Sequence, residues 1–266
     1  MRRAFDPAAL PGFAAIAVVA LAALWAPIVT MVAYSFNASN SVAQWGGFST
    51  EWYAVAAGNE AVQAAAGRSL LIALCAAAIS TTVATMAALG TTRRGRFPGR
   101  GAIYLTINQP LMVPEIVTAV ALLIVFASVK VATGYTGLGY LILAHSAFCV
   151  PFAYLPIRAR LEGMDRTLET AAADLYATPW RAFRRVTLPL MAPGIAAGAM
   201  LAFVISLDDV IITEFVKSAG PDTLPTYMLG QLRRAVTPEV NAISTALLAL
   251  TVALLTAFFL ITRRRA

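Results

Sequence analysis

The sequence predicts an all-α polytopic membrane protein with six transmembrane helices. Of its 266 residues, 59% are hydrophobic and only 12% are charged, whereas a typical soluble domain carries about 25% charged residues. The apolar residues lie in six blocks, each long enough to cross a bilayer as a helix of roughly 20 residues. A long polar segment with a helical pattern, residues 158–189, separates the fourth block from the fifth. We expect residues 1–266 to form one transmembrane domain that contains this segment.

The six spans are predicted, in chain order, at about residues 12–36, 64–89, 102–129, 140–157, 190–215 and 240–261. The first block is too long for the apolar part of a signal peptide and has no clear small-residue cleavage site, so we interpret it as an uncleaved span. The polar stretch after it carries Trp52 and Tyr53, residue types that are typical of the bilayer interface. The last span has a clear start at Thr237-Pro238-Glu239, an N-cap followed by proline and an acid.

The distribution of basic residues predicts that both chain termini face the cytoplasm. On the side of the termini, two Lys or Arg precede the first span, four lie between the second and third, six lie from Arg158 to Arg185, and three follow the last. These fifteen leave only five of the 20 basic residues for the other side. Because basic residues concentrate on the cytoplasmic side of membrane proteins, we also expect residues 158–189 in the cytoplasm.

The polar segment predicts two short helices, the first with an apolar stripe. Four residues recur at the spacing of one helical face: Leu168, Ala171, Ala172 and Leu175. Asp165 precedes them as an N-cap. Thr178-Pro179 marks a second helix start after a turn near Tyr176 and Ala177. A small amphipathic helix between spans has no core of its own, so its apolar stripe is expected to contact a partner protein.

This segment resembles the EAA loop of ABC-importer permeases, whose pattern is EAA, three residues, Gly, nine residues and Ile-x-Leu-Pro. Five positions match the pattern: Ala171, Ala172, Val186, Leu188 and Pro189. Two positions depart from it. Thr170 stands where the family has Glu, although Glu169 is next to it, and Tyr176 stands where the family has Gly. Because tyrosine adopts a positive φ less readily than glycine, we expect a different backbone at this turn.

The resemblance implies that residues 158–189 form a cytoplasmic coupling loop that docks into a groove on a separate ATP-hydrolysing subunit. The residues expected to carry this coupling are Arg166, Glu169, Thr170, Ala171, Ala172, Asp174, Leu175, Tyr176 and Pro189. The chain has no glycine-rich Walker loop, which agrees with ATP hydrolysis by another subunit.

Three acids within the predicted spans are candidates for a substrate pathway. Asp208 and Asp209 lie in the fifth span, roughly 28 Å from its cytoplasmic end, and Glu115 follows Pro114 in the third. A carboxylate in hydrocarbon costs about 2.5–3.5 kcal/mol, so such residues tend to be functional or paired. Acids along a pathway favour a cationic substrate. The structural alternative is that they cap outer helix ends or pair with one of three arginines: Arg68, Arg233 and Arg234.

Adjacent residues on a helix point about 100° apart. Asp208 and Asp209 are therefore not expected to face one pathway equally, and one of them is expected to form contacts between helices. For Glu115 the pathway interpretation is favoured, because no obvious basic partner lies in the predicted spans.

Two further runs, Ser206–Val210 and Thr237–Ala242, are similar to the spermidine/putrescine permease family of ABC importers. This resemblance implies a bacterial inner-membrane permease that imports a small cationic amine. It also implies a second homologous permease subunit, two copies of an ATPase subunit and an extracytoplasmic substrate-binding protein as partners. One alternative keeps the importer and changes the cargo to an amino acid derivative or a phosphonate. A more distant one is a stand-alone secondary transporter or a membrane-embedded enzyme.

Other functions have little support in the sequence. No catalytic motif is present, and we expect neither a cofactor nor a metal site. The only histidine, His145, lies in a span and is expected to form hydrogen bonds within the bundle. The basic residues lie in short clusters beside apolar spans without interleaved aromatics, so we expect the lipid bilayer rather than nucleic acid as their surroundings.

Overall fold

The computed structural model describes residues 12–42, 44–95, 97–217, 222–234 and 237–263. Over those ranges the chain forms twelve α-helices, with a five-residue π-helical turn, Phe183–Thr187, between α8 and α9. The helices are α1 Phe13–Tyr34, α2 Glu51–Gly58, α3 Glu60–Thr92, α4 Arg100–Met112, α5 Glu115–Thr133, α6 Gly139–Glu162, α7 Thr167–Asp174, α8 Pro179–Ala182, α9 Leu188–Asp208, α10 Ile211–Val216, α11 Leu224–Arg234 and α12 Pro238–Arg263. The two arginines that precede the first span in the count of basic residues lie outside the described residues.

The prediction of six spans is confirmed. Six helical stretches are long and apolar enough to cross a membrane: Ala14–Tyr34, Glu60–Thr92, Glu115–Thr133, Gly139–Glu162, Pro179–Asp208 and Pro238–Leu260. The predicted start of the last span is confirmed as well, because α12 begins at Pro238 and has Glu239 in its first turn.

The third span was predicted as one helix over residues 102–129, and this is wrong. The structure ends α4 at Met112 and begins α5 at Glu115, with Val113 and Pro114 in extended conformation between them. Proline lacks the N–H that a helix interior needs, and it drives the preceding residue out of the helical region. Pro110, by contrast, is accommodated inside α4.

The fifth span also differs from its predicted range of residues 190–215. Its helix begins eleven residues earlier, because α8, the π-helical turn and α9 are continuous from Pro179 to Asp208. It ends earlier too. Asp209 has φ −66° and ψ 132°, so the chain is extended there before α10 begins at Ile211. The predicted boundary between the polar segment and the span therefore falls inside one helix.

The chain divides into two compact units. The first comprises the described part of Met1–Glu60 together with Met228–Leu250, and the second comprises Ala61–Tyr227 and the remainder of α12. In the first unit, the loop after α1 is organised around the buried Asn37. Its side-chain amide donates to the carbonyl oxygens of Ser41 and Gln44, and its carbonyl oxygen accepts from the N–H of Gly46. The Trp52 indole donates to the Asn37 backbone oxygen at 2.9 Å, so Trp52 belongs to the fold of this loop.

The second unit is built around the close crossing of α6 and α9. Gly194 and Gly198 lie four residues apart on α9 and face α6. A Cβ on Gly198 would lie 2.7 Å from the carbonyl oxygen of Ala153, and one on Gly194 would lie 2.6 Å from the Cβ of Arg160. Small residues at this spacing allow two helix backbones to approach closely within a membrane. The crossing therefore packs the first half of α9 closely against α6.

We expect Gly198→Val to destabilise the protein by about 1–3 kcal/mol, because the added side chain has no space against the α6 backbone. Thermal unfolding of the purified protein in detergent measures the change. The matched control is Gly67→Val on α3, where a Cβ meets no atom within 4 Å. Equal stability of the two variants would contradict the close crossing.

Candidate functional site

The polar segment, residues 158–189, contains the two predicted helices. The Thr178 hydroxyl accepts a hydrogen bond from the Arg181 N–H at the start of α8, with Pro179 at the first position, which confirms that helix start. α7 begins at Thr167, and the Asp165 carboxylate accepts a hydrogen bond from the Thr167 N–H at 2.9 Å. This bond lowers the pKa of the Asp165 carboxyl below its ordinary value. The prediction of Asp165 as the N-cap is wrong by one residue: the N-cap is Arg166, and Asp165 bonds to the first helical residue from the position before it.

The turn between these helices has the left-handed backbone that the sequence analysis did not expect for tyrosine. Tyr176 has φ 59°, the only positive φ of a non-glycine residue in the described chain. Such a conformation costs an L-residue about 1–2 kcal/mol. Hydrogen bonds from the N–H groups of Tyr176 and Ala177 to the last turn of α7 hold the turn in place. The expectation of a different backbone is therefore wrong, and tyrosine takes the conformation suited to glycine.

The polar segment exposes three large apolar side chains. Leu175 is 82% exposed, Tyr176 is 93% exposed and Trp180 is 68% exposed. Among the other residues predicted to carry coupling, Thr170, Ala171, Asp174 and Pro189 are exposed and Ala172 is half-buried. Exposed apolar side chains grouped on a short helix pair are typical of a surface that contacts a partner.

Two of the predicted coupling residues contact the spans. The Glu169 carboxylate accepts hydrogen bonds at Oε1 from Arg93 Nε at 3.0 Å and from the Thr187 hydroxyl at 2.9 Å. Arg93 also donates through Nη1 to the backbone oxygen of Leu161. Arg166 donates to the backbone oxygens of Thr92 and Arg93 at the end of α3. Glu169 and Arg166 therefore connect α7 to α3, and Glu169 also connects it to the π-helical turn before α9.

Sequence reasoning missed Arg93 as a contact of this segment. Arg93 lies 76 residues from Glu169 and was interpreted only as one of the basic residues that define topology. No spacing rule relates two residues that lie so far apart in sequence, so the sequence pattern carried no signal for this contact.

The three candidate pathway acids meet at one cavity, which we call the acidic cavity. It has a volume of about 380 Å³ and is lined by Glu115, Asp208, Asp209, Phe148, Phe152 and four aliphatic residues, Val204, Ile205, Val210 and Ile211. In the described part of the chain, no Lys or Arg forms an ion pair with Glu115 or Asp208. Among the described residues, no group of three or more His, Cys, Asp and Glu side chains could hold a metal ion.

Asp208 and Asp209 have different surroundings. Asp208 ends α9 and is exposed, whereas Asp209 is 6% exposed. The Asp209 carboxylate accepts hydrogen bonds from the N–H groups of Ile212 and Thr213 and from the Thr213 hydroxyl. Asp209 thus caps α10, which is the structural alternative that the sequence left open. Asp208 has no such partner among the described residues and is the acid available to a solute.

His145 lies next to the Asp209 carboxylate. Its Nδ1 is 2.8 Å from the Ser206 hydroxyl oxygen, and its Nε2 is 3.0 Å from the Thr213 hydroxyl and 3.4 Å from Asp209 Oδ2. The prediction that His145 forms hydrogen bonds within the bundle is confirmed. These bonds tie α6 to the end of α9 and to α10, so they hold the wall of the acidic cavity.

Glu115 reaches the same cavity because the third span is broken. The break at Val113-Pro114 places Glu115 in the first turn of α5, where the positive end of the helix dipole stabilises a carboxylate. Its side chain lies beside Asp209 and is half-buried. Carboxylates that share one cavity repel each other when all of them are ionised, and a cation placed among them would offset that repulsion.

Comparison with known proteins identifies the class of protein. Residues 80–264 match the family described as "Binding-protein-dependent transport system inner membrane component", and the chain belongs to this family. It is therefore a multi-pass inner-membrane permease subunit of an ABC importer, and not an enzyme.

Among its relatives is the putrescine transport system permease protein PotI of Escherichia coli (strain K12), 40% identical over 228 residues that cover 85% of this chain and 81% of that protein. The spermidine/putrescine transport system permease protein PotC of Haemophilus influenzae is 37% identical over 246 residues, 92% of this chain and 94% of that one. PotC of Escherichia coli (strain K12) is 34% identical over 240 residues, which cover 90% of this chain and 89% of that protein.

Two solved structures share the fold. A bacterial ABC transporter involved in the import of the acidic polysaccharide alginate superimposes with a TM-score of 0.67 at 13% identity, covering 94% of both chains. The MetNI methionine ABC transporter in an inward-facing conformation gives a TM-score of 0.61 at 18% identity, covering 75% of this chain and 93% of that one. These similarities confirm the predicted fold class.

The contact between Arg93 and Glu169 is expected to contribute to stability. A double-mutant cycle of Arg93→Gln, Glu169→Gln and the double variant is expected to give a coupling energy of about 1–2 kcal/mol, since both side chains are largely buried and bonded directly. Chemical or thermal unfolding in detergent measures it. The control cycle pairs Arg94→Gln, an exposed neighbour, with Glu169→Gln and is expected to be additive. Additivity in both cycles would contradict the contact.

Proposed function

We propose that this permease moves a small cationic amine, of the class of putrescine and spermidine, into the cytoplasm. The observation that carries the proposal is the acidic cavity, in which Glu115 and Asp208 lie without basic partners beside Phe148 and Phe152. Ammonium groups pair with carboxylates and are attracted to the faces of aromatic rings. The names of the relatives, which are putrescine and spermidine/putrescine permeases, support the same cargo.

The proposed direction follows from the distribution of basic residues. Fifteen of the 20 Lys and Arg residues lie on the side of the chain termini and of residues 158–189, which favours a cytoplasmic location for all three. Asp208 ends a helix of 21 residues that starts within the polar segment. At about 1.5 Å per residue it lies roughly 30 Å away from the start. The acidic cavity is thus proposed to accept the cation from the extracytoplasmic side.

We propose that ATP hydrolysis by partner subunits supplies the free energy for transport. Residues 158–189 form the coupling segment, and their exposed apolar surface at Leu175, Tyr176 and Trp180 would enter a groove on an ATPase subunit. The complete importer would contain a second homologous permease, two copies of the ATPase and an extracytoplasmic binding protein. The continuity of the helix from Pro179 to Asp208 supports this role, because one rigid element would link the ATPase surface to the acidic cavity.

Removal of the Asp208 charge tests the cargo. We expect Asp208→Asn to raise the KM for putrescine uptake about tenfold, the effect of losing one charge-assisted contact. Glu115→Gln is expected to act in the same direction. The measurement is uptake of labelled putrescine by cells that express the complete importer.

Glu60→Gln provides the matched control, because Glu60 is an exposed acid at the start of α3, outside the cavity. Asp209→Asn is expected to lower stability, since an amide nitrogen cannot accept the hydrogen bonds that Oδ2 accepts from the N–H and the hydroxyl of Thr213. Normal putrescine uptake by Asp208→Asn and Glu115→Gln would contradict the proposed role of the cavity. Uptake of an amino acid derivative or a phosphonate, with none of putrescine, would replace the proposed cargo.

A bulky charge on the apolar stripe tests the coupling segment. We expect Ala172→Arg to leave membrane insertion intact and to reduce transport per ATP hydrolysed at least about fivefold, the lower range of typical coupling free energies. Ala173→Arg is the control, because Ala173 is exposed and lies outside the apolar stripe of the same helix. Normal uptake by Ala172→Arg would contradict the coupling role, and uptake without any ATPase subunit would favour a stand-alone transporter.

A further inference from the structure

A second cavity, which we call the basic cavity, lies at the end of the second unit that carries the coupling segment. It has a volume of about 420 Å³ and is lined by Thr91, Arg100, Gly101, Tyr104, Tyr154 and Arg158. Thr91 is the penultimate residue of α3, Arg100 is the first residue of α4, and Arg158 lies four residues before the end of α6. The cavity is therefore formed where three helices of the bundle end or begin.

The basic cavity carries excess positive charge. Arg158 Nε donates to Glu162 Oε1 at 2.8 Å, and its guanidinium carbon lies 4.7 Å from the centre of the Tyr104 ring. The Arg100 guanidinium forms no ion pair with any described residue. One carboxylate, that of Glu162, therefore pairs with one of the two guanidinium groups that line the cavity. The stacking of Arg158 on Tyr104 fixes its orientation, so this charge is held at the cavity wall.

Backbone N–H groups add to this charge. α4 begins after Gly99, which has φ 89°, and no side chain caps its first turn. The Arg100 N–H donates to the Phe97 backbone oxygen at 3.4 Å. The Gly101 N–H of this thirteen-residue helix has no partner among the described residues, and the positive end of the helix dipole lies at the cavity. Guanidinium groups together with a free backbone N–H at a helix start are a donor set that binds phosphate oxygens.

The position of the cavity indicates which phosphate it binds. It opens at the ends of membrane-spanning helices, and on α4 the neighbouring Ile103 and Leu105 are exposed apolar residues. Tyr104 between them is of a type that concentrates at the bilayer interface. A soluble phosphate would use only the polar wall, whereas a phospholipid would use both the donors and the adjacent apolar surface. Basic pockets between spans are known to bind anionic lipid headgroups.

We propose that the basic cavity binds the phosphodiester headgroup of an anionic phospholipid, with Arg100 and Arg158 as the charged contacts and the acyl chains against the exposed face of α4. The lipid would hold the start of α4 beside α6, next to the Arg93 contact of the coupling segment. This site is separate from the acidic cavity, and it does not depend on the identity of the cargo.

Native mass spectrometry of the assembled importer tests the site. The complex is placed in nanodiscs that contain phosphatidylcholine and phosphatidylglycerol, and the phospholipid retained after release is counted. Wild type is expected to retain phosphatidylglycerol in preference to phosphatidylcholine. Arg100→Gln is expected to lower the affinity for phosphatidylglycerol about tenfold, and Arg100→Lys, which keeps the charge, by less.

Arg94→Gln is the matched control, because it removes one charge from the same connection outside the cavity, and it is expected to retain the lipid as wild type does. Unfolding in phosphatidylcholine alone checks that each variant is intact. If the Arg100→Gln importer does not assemble, the test rests on two other results: the preference of wild type for phosphatidylglycerol and the affinity of Arg100→Lys for that lipid. Equal retention of the two lipids by wild type, or equal retention of phosphatidylglycerol by intact Arg100→Gln, would overturn the site. Complete displacement of the lipid by millimolar inorganic phosphate would assign it to free phosphate instead.

Discussion

The structure depends on one constraint, which is that backbone groups freed inside a bilayer must find partners within the protein. Two interruptions separate successive helices, one between α4 and α5 at Val113-Pro114 and one between α9 and α10 at Asp209-Val210. At the second break, the Asp209 carboxylate accepts the N–H groups that begin α10. A buried acid is therefore needed to end one helix and start the next. Both breaks border the acidic cavity, so the site exists because two helices are interrupted there.

The rest of the second unit supports these breaks. The close crossing at Gly198 brings α9 against α6, and this places Ser206 within 2.8 Å of His145. His145 in turn lies against Asp209 and Thr213. The small residues at the crossing thus help to position a polar network that forms about two turns further along α9. A larger residue at Gly198 would disturb the network as well as the packing.

The same helix gives the fold a mechanical connection. The stretch from Pro179 to Asp208 is continuous and 30 residues long, about 45 Å at the usual rise per residue. One end carries exposed Trp180 and the other ends at the acidic cavity. Glu169 adds a second attachment, because it bonds to Arg93 at the end of α3 and to Thr187 within this continuous helix. Motion imposed on the coupling segment would therefore reach both α3 and the cavity.

Sequence reasoning predicted the six spans, because apolar runs of sufficient length have few alternatives. It also predicted the starts of α8 and α12 from Thr-Pro pairs. It missed the break at Pro114, since proline patterns alone do not separate a break from the tolerated Pro110. It missed the end of α9, where no proline is present and tertiary capping by Asp209 decides. The left-handed Tyr176 opposes local preference, and only the bonds of the folded turn account for it.

The two cavities give the second unit opposite charges at its two ends. Carboxylates line the cavity at the end of α9, and guanidinium groups line the cavity where the coupling segment leaves the bundle. This polarity agrees with the excess of basic residues on the side of the chain termini. A cation would be attracted at the acidic end, and the basic end would remain associated with anionic headgroups.

The central claim is that this chain is required for ATP-driven import of a cationic amine. The most direct measurement is uptake of labelled putrescine and spermidine into proteoliposomes that contain the partner subunits and the binding protein, with and without this chain. The expected result is uptake that requires both this chain and ATP. Unlabelled putrescine is expected to reduce that uptake by competition. Uptake that is unchanged when the chain is omitted would contradict it.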